Sequence, residues 1–201
     1  MKYIIAIILW MLPVVTGATV TGSDYENKVY QIALKTVSNL ENRYKTPIQF
    51  DIPLKIIFLS EFDVGYTWCE ETNYGNTKSK KFNKCINDDA VEAYYDISKE
   101  SLILKNNLEF NKTYDIGSIV HEVVHYVQDR HGLTWHGNYA MCIALLEYEA
   151  MSLEIELIND VSDIQISGSY KSYIKKWKNK FADRLTGKAN CNINLLDEIQ
   201  N

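Results

Sequence analysis

The sequence predicts an α+β fold in which a small, twisted, mostly antiparallel sheet packs on one central helix and the C-terminal half is helical. Three observations carry this. Around residues 116–128 apolar side chains recur at helical spacing, and Ile119, Val120, Val123, Val124 and Val127 crowd the segment with β-branched groups, which suits a buried helix better than a surface one. Residues 91–96 and 101–105 are short β-rich runs joined by the turn Ile97-Ser98-Lys99-Glu100, the pattern of a hairpin. Two long stripes of helical period follow residue 139.

Taken in order, residues 1–18 read as an export signal. Lys2 is the positive start, residues 4–15 form the apolar stretch, and Thr16-Gly17-Ala18 offers small residues for cleavage near Ala18. The stretch is too short to span a bilayer, and no later segment reaches about 18 uncharged apolar residues. A secreted or periplasmic location is therefore expected, without stable membrane insertion once the signal is gone. Residues 19–201 suffice for a single domain, and no repeat or linker marks a second. Without Lys2 the basic residues fall from 21 to 20 against 26 acidic ones, a net charge of about −6 that argues against a nucleic-acid partner. The lysines around 78–84 and 171–180 read as solvated faces.

Ser23 or Asp24 can cap a first helix running to about Tyr44, which Thr46-Pro47 ends. Residues 54–59 read as a strand, apolar on both faces and hence central. A polar stretch without regular periodicity, 70–84, lies between Cys69 and Cys85. After the hairpin, Asp115 can cap the buried helix, and Gly132 can stop it near residues 130–132 in a left-handed conformation. A second long helix, about 139–159, carries the stripe Cys142, Leu146, Ala150, Leu153 and Leu157; a last one, about 169–185, carries Tyr170, Tyr173, Ile174, Trp177 and Phe181. Four cysteines in an exported chain suggest two disulfides, with 69–85 and 142–191 the favoured pairing. No C-x-x-C occurs, which speaks against a cysteine metal site.

The buried helix carries His121-Glu122-Val123-Val124-His125. Residues four apart on a helix lie about 6 Å apart along the axis and roughly 40° apart around it, so both imidazoles can reach one ion. Glu122, turned away by about 100°, stands beside the ion, where a base can act on water. Composition alone would produce this pattern in roughly one such chain in a few hundred. Histidines and a carboxylate on a buried helix need partners, and one Zn2+ ion would serve. A catalytic zinc takes three protein ligands and one open position. Glu149, on the inward stripe of the next helix, is the favoured third ligand. His131 and Glu147 are its rivals: Gln128 stands where a turn-forming glycine would bring His131 back, and Glu147 lies about 200° around the helix from Glu149.

These residues, with Glu147-Tyr148-Glu149-Ala150 and the hairpin ahead of the helix, resemble the small secreted zincin metallopeptidases of the gluzincin branch over roughly residues 93–156. The resemblance implies a twisted sheet above the metal helix, a helical lower half supplying the third ligand, and an extended protein or peptide substrate lying along the edge strand, expected at Ser101–Lys105. It implies hydrolysis with Glu122 as general base and zinc on His121, His125 and Glu149. His136, Tyr139, Tyr170 and Tyr173 are candidate donors to the oxyanion. One departure is that Leu153, four residues after Glu149, leaves no acidic partner for the histidines at the usual offset. The alternative function is a non-catalytic secreted domain or effector that keeps the metal for structure or binding.

Overall fold

In the computed structural model, which describes residues 24–44, 54–72, 77–88, 91–132 and 139–183, six helices and three strands follow the order α1 (Asp24–Tyr44), β1 (Lys55–Leu59), α2 (Glu61–Thr72), α3 (Lys80–Asp88), β2 (Ala93–Asp96), β3 (Ser101–Lys105), α4 (Thr113–Arg130), α5 (Tyr139–Val161) and α6 (Gly168–Ala182). Residues 1–18, Thr46-Pro47, Cys191 and His136 lie outside the described residues, and with them the expected signal and the expected partner of Cys142. Among the described residues no helix is long and apolar enough to cross a membrane.

The sheet is mixed, which corrects the mostly antiparallel expectation. Its order is β1-β3-β2, with β1 parallel to β3 and β2 antiparallel to it. Strand β3, expected at the edge, is central, and β1, expected in the centre, is at the edge. The reason lies in burial: all five residues of β3 are covered, whereas β1 is only partly so. Leu102 and Leu104 join Ala93, Tyr95, Ile56 and Phe58 in the main core, while Ile103 joins Tyr94, Ile57, Leu59, Val64 and Trp68 beneath α2. Successive side chains thus alternate between two apolar layers, as the pleat requires.

Helix α4 is the centre of the main core. Ile116, Ile119, Val120, Val123, Val124, Tyr126 and Val127 are at most 1% exposed, so the helix is covered on nearly every side by α1, α5 and the sheet. Each such aliphatic side chain removed from water contributes about 1.5–3 kcal/mol. Gly132 ends the helix as expected: its φ is +70°, and its N–H donates to the Asp129 carbonyl at 2.9 Å. The start differs. Lys112 is the cap residue and makes no side-chain cap, while Asp115 sits inside the first turn and accepts the Glu109 N–H. Asp115 also faces the buried ammonium of Lys105, which Glu92 holds at 2.7 Å, so these charges tie β3 to the start of α4.

The stretch between the first two cysteines is helical at both ends, where no regular structure was expected. Hydroxyl caps start both helices: Ser60 Oγ accepts the Asp63 N–H at 3.1 Å, and Ser79 Oγ accepts the Phe82 N–H at 2.9 Å. The Cys69–Cys85 disulfide joins α2 to α3, as the spacing suggested, and Phe82 packs beside it against Tyr66. Replacing both cysteines by alanine should cost about 3 kcal/mol, the loop-closure value for a cross-link spanning 16 residues. Urea unfolding of the double variant, monitored by circular dichroism, measures this directly.

Candidate metal centre

His121 and His125 project from one side of α4, and their Nε2 atoms stand 3.1 Å apart. Helix α5 crosses there and brings in Glu147. Its Oε2 lies 3.2 Å from His121 Nε2 and its Oε1 lies 3.4 Å from His125 Nε2, so the carboxylate straddles the two rings. Ligands 2.0–2.1 Å from a tetrahedral ion stand about 3.3 Å from one another. All three separations are close to that edge length, and these three residues form the one group of potential metal ligands among the described residues. Two imidazole nitrogens and a carboxylate, nearly withdrawn from water, are a donor set that fits a divalent cation.

The outer nitrogens of both rings are engaged. His121 Nδ1 meets Glu154 Oε2 at 3.1 Å, and His125 Nδ1 meets Gln128 Oε1 at 2.8 Å. A proton on each Nδ1 satisfies these contacts and leaves both Nε2 lone pairs directed at the same point as the Glu147 carboxylate. Burial alone would push the His121 ring down, but Glu147 and Glu154 override it and hold the ring well above the ordinary histidine range. His125 is likewise raised against its burial, chiefly by Glu147. Conversely, burial would raise Glu147, yet the two imidazoles hold its carboxyl far below the usual carboxylate range. The negative potential that retains protons on the rings is also the potential that attracts a cation.

The third member of the cluster is Glu147, not the favoured Glu149. Glu149 faces another way and accepts a hydrogen bond from Gln128 Nε2 at 2.9 Å. The expectation placed the ligand on the apolar stripe of α5, and Cys142, Leu146, Ala150, Leu153 and Leu157 are indeed buried. The histidines lie beside that line of contact, however, so the carboxylate comes from its flank. His131 caps the end of α4 outside the cluster, because Gln128 continues the helix. Tyr170 and Tyr173 do not line the adjoining cleft. The side chain of Tyr139 lies outside the described residues.

Two residues that position the rings were missed. Gln128 was weighed only as a helix former. Glu154 follows Glu147 by seven residues, two helical turns, and this spacing on one face was the available signal. Gly117, one turn before His121, makes room behind the ring: a Cβ there would stand 1.7 Å from the Tyr170 hydroxyl and 2.6 Å from Glu154 Oε1.

Glu122 lines a cleft of about 1000 Å3 that runs along β2 and also reaches His121, His125 and Glu147. The Lys105 N–H donates to the Glu92 carbonyl at 3.0 Å, and Tyr94 and Asp96 oppose Ile103 and Ser101. The hydrogen-bonded pairs therefore fall on alternate residues, and Ala93 and Tyr95 turn their peptide groups to the open edge. Glu122 Oε2 accepts the Tyr95 N–H at 2.8 Å. Burial raises the Glu122 carboxyl above its ordinary range, against the pull of the two histidines. Ile97, Ile143, Leu146 and Trp68 are apolar walls of the cleft. At its far end Lys99, in the hairpin turn, bridges Asp96, the last residue of β2, and Glu71, near the end of α2.

No protein-family model matches the chain, and comparison with curated proteins and with solved structures gives no significant match.

Two outcomes follow from this geometry. Gly117→Ala should lower stability by about 1–3 kcal/mol through overpacking, and Tyr170→Phe in the same chain should recover part of the loss, as read from unfolding midpoints. Asp96 is the second case: burial would raise its carboxyl, but hydrogen bonds from Lys99 and Ser98 depress it below the ordinary 3.8. A depressed carboxyl stabilises the fold above its unfolded value and loses that contribution as pH falls through the folded one. Asp96→Asn should therefore weaken the protein at neutral pH and flatten the acid limb of its stability curve, measured by urea unfolding across that range.

Proposed function

We propose that this protein is a metal-dependent peptidase of zincin type, with the cation, zinc by the chemistry of the donors, held by His121, His125 and Glu147. The observation that carries the proposal is the placing of Glu122: a half-buried carboxylate that shares the cleft with the three converging ligands and is anchored by the edge strand. When bound, the cation would lower the pKa of a coordinated water and polarise a carbonyl.

The chain's own groups account for the remaining work. The peptide groups of Ala93 and the Tyr95 carbonyl, turned to the open edge of β2, suit an extended substrate backbone that adds to the sheet. This moves the substrate edge from the expected β3 to β2, since β3 is paired on both sides. Glu122, with Oε2 steadied by the Tyr95 N–H, takes the proton of the attacking water on its carboxylate. Its raised pKa suits it to hold that proton and then deliver it to the departing amine nitrogen. Glu154 and Gln128 keep the imidazoles oriented throughout.

An export signal and an unstructured protein substrate outside the cytoplasm belong to the same reading, and a disulfide between α2 and α3 agrees with an oxidising compartment. The purified mature chain should cleave unfolded casein, lose that activity to a chelator and regain it with zinc. Glu122→Gln should retain the cation while cleaving at least about a hundredfold more slowly. Glu147→Ala should lose the cation itself, measured by metal analysis after gel filtration. Wild-type protein that carries zinc but cleaves nothing, or a Glu122→Gln variant as active as wild type, would exclude the peptidase.

A further inference from the structure

Two buried polar side chains meet at the α4–α5 contact behind His125, and only one of them, Gln128, has a part in the chemistry described so far. Gln128 is 1% exposed and Glu149 is 8% exposed. A glutamine amide has a donor end and an acceptor end, and its surroundings decide which way round it lies. Gln128 Nε2 is 3.1 Å from the Leu146 carbonyl oxygen and 2.9 Å from Glu149 Oε2. Reversed, the amide would set its oxygen against the Leu146 carbonyl oxygen and a Glu149 carboxylate oxygen, acceptor against acceptor in a buried place. The amide is thus held with its oxygen towards His125 Nδ1, 2.8 Å away. An acceptor at that point requires Nδ1 to carry the proton, which leaves the lone pair on Nε2, the nitrogen that faces His121 and Glu147.

We infer that Glu149 and Gln128 form an orientation relay: Glu149 fixes the amide of Gln128, and Gln128 in turn fixes the tautomer of His125 that presents Nε2 to a divalent cation. Both are positioning residues, and neither lies in the ligand cluster. The arrangement also explains an asymmetry of the centre. His121 is held by the carboxylate of Glu154 directly, whereas His125 is held by a neutral amide with the carboxylate one step behind it. The inference rests on the cation-binding reading of the cluster and adds to it the role of the carboxylate that the cluster leaves aside.

The test combines zinc affinity, from competition with a chromophoric chelator, and nitrogen-15 NMR of the histidine rings. Gln128→Leu should bind zinc about 10–100-fold more weakly than wild type and lose the hydrogen-bonded Nδ1–H signal of His125. A leucine there could disturb folding, so the exchange Gln128→Glu with Glu149→Gln supplies a second arm. It restores an acceptor facing His125 and a donor–acceptor contact with residue 149, though not the contact to the Leu146 carbonyl, and should bind zinc more tightly than Gln128→Glu alone, which sets two carboxylates together. The relay is overturned if Gln128→Leu keeps wild-type affinity and its Nδ1–H signal, or if the exchange is no better than Gln128→Glu alone. It is also overturned if His125 of chelator-treated wild type, at alkaline pH where the ring is neutral, carries its proton on Nε2. Wild-type protein that binds no zinc at all would sink the cation site instead, and the tautomer of the chelator-treated protein would still decide the relay.

Discussion

The rest of the structure depends on one electrostatic constraint: two imidazole nitrogens and a carboxylate meet, largely withdrawn from water, where α4 and α5 border the cleft. Acceptors brought together in a medium of low dielectric repel one another unless a positive charge stands between them. The surrounding residues are arranged to keep that meeting in place. Glu154 and Gln128 hold the rings from behind, and Gly117 leaves space for the oxygens of Glu154 and Tyr170. The apolar residues of α4 fix the helix itself against α1, α5 and the sheet. Replacing buried charges such as these by well-packed apolar side chains is often neutral or stabilising, so the cluster is not explained by packing alone.

The sheet serves the same centre. Because β3 is covered on both sides, the short strand β2 is the edge beside α4, and a single hydrogen bond, Tyr95 N–H to Glu122, links that edge to the carboxylate. Backbone groups able to align an extended chain and the carboxylate able to move a proton therefore stay in fixed relation. The Lys99 bridge from the hairpin turn to α2, and the α2–α3 disulfide beyond it, brace the far end of the cleft. Most connections to the centre run through buried elements rather than loops, which suits a site that must keep its geometry within a few tenths of an ångström.

Much of the architecture could be read from periodicity and turn chemistry. The limits of α1, the glycine stop of α4 at Gly132 and the buried stripe of α5 follow from local rules that hold whatever the tertiary context. Helices α2 and α3 were missed because they are short, 12 and 9 residues, and border the polar stretch between the two cysteines, although Ser60 and Ser79 stood as hydroxyl caps before each. The strand order was also not recoverable: residues 54–59 and 101–105 are both apolar enough to be central, and only the packing of α2 and α4 on the sheet decides between them.

At the centre the same division holds. His121, Glu122 and His125 were determined by sequence alone, because all three lie on one helix and their relation is set by its pitch. The carboxylate that completes the cluster was not, because it comes from a second helix whose rotation and offset are set by how two surfaces interlock. A turn of about 200° separates Glu147 from Glu149, and nothing local to α5 says which should face the histidines. Packing placed Glu147 against the rings and left Glu149 against Gln128. Helical repeat is a property of the chain, whereas the meeting of two helices is a property of the whole core.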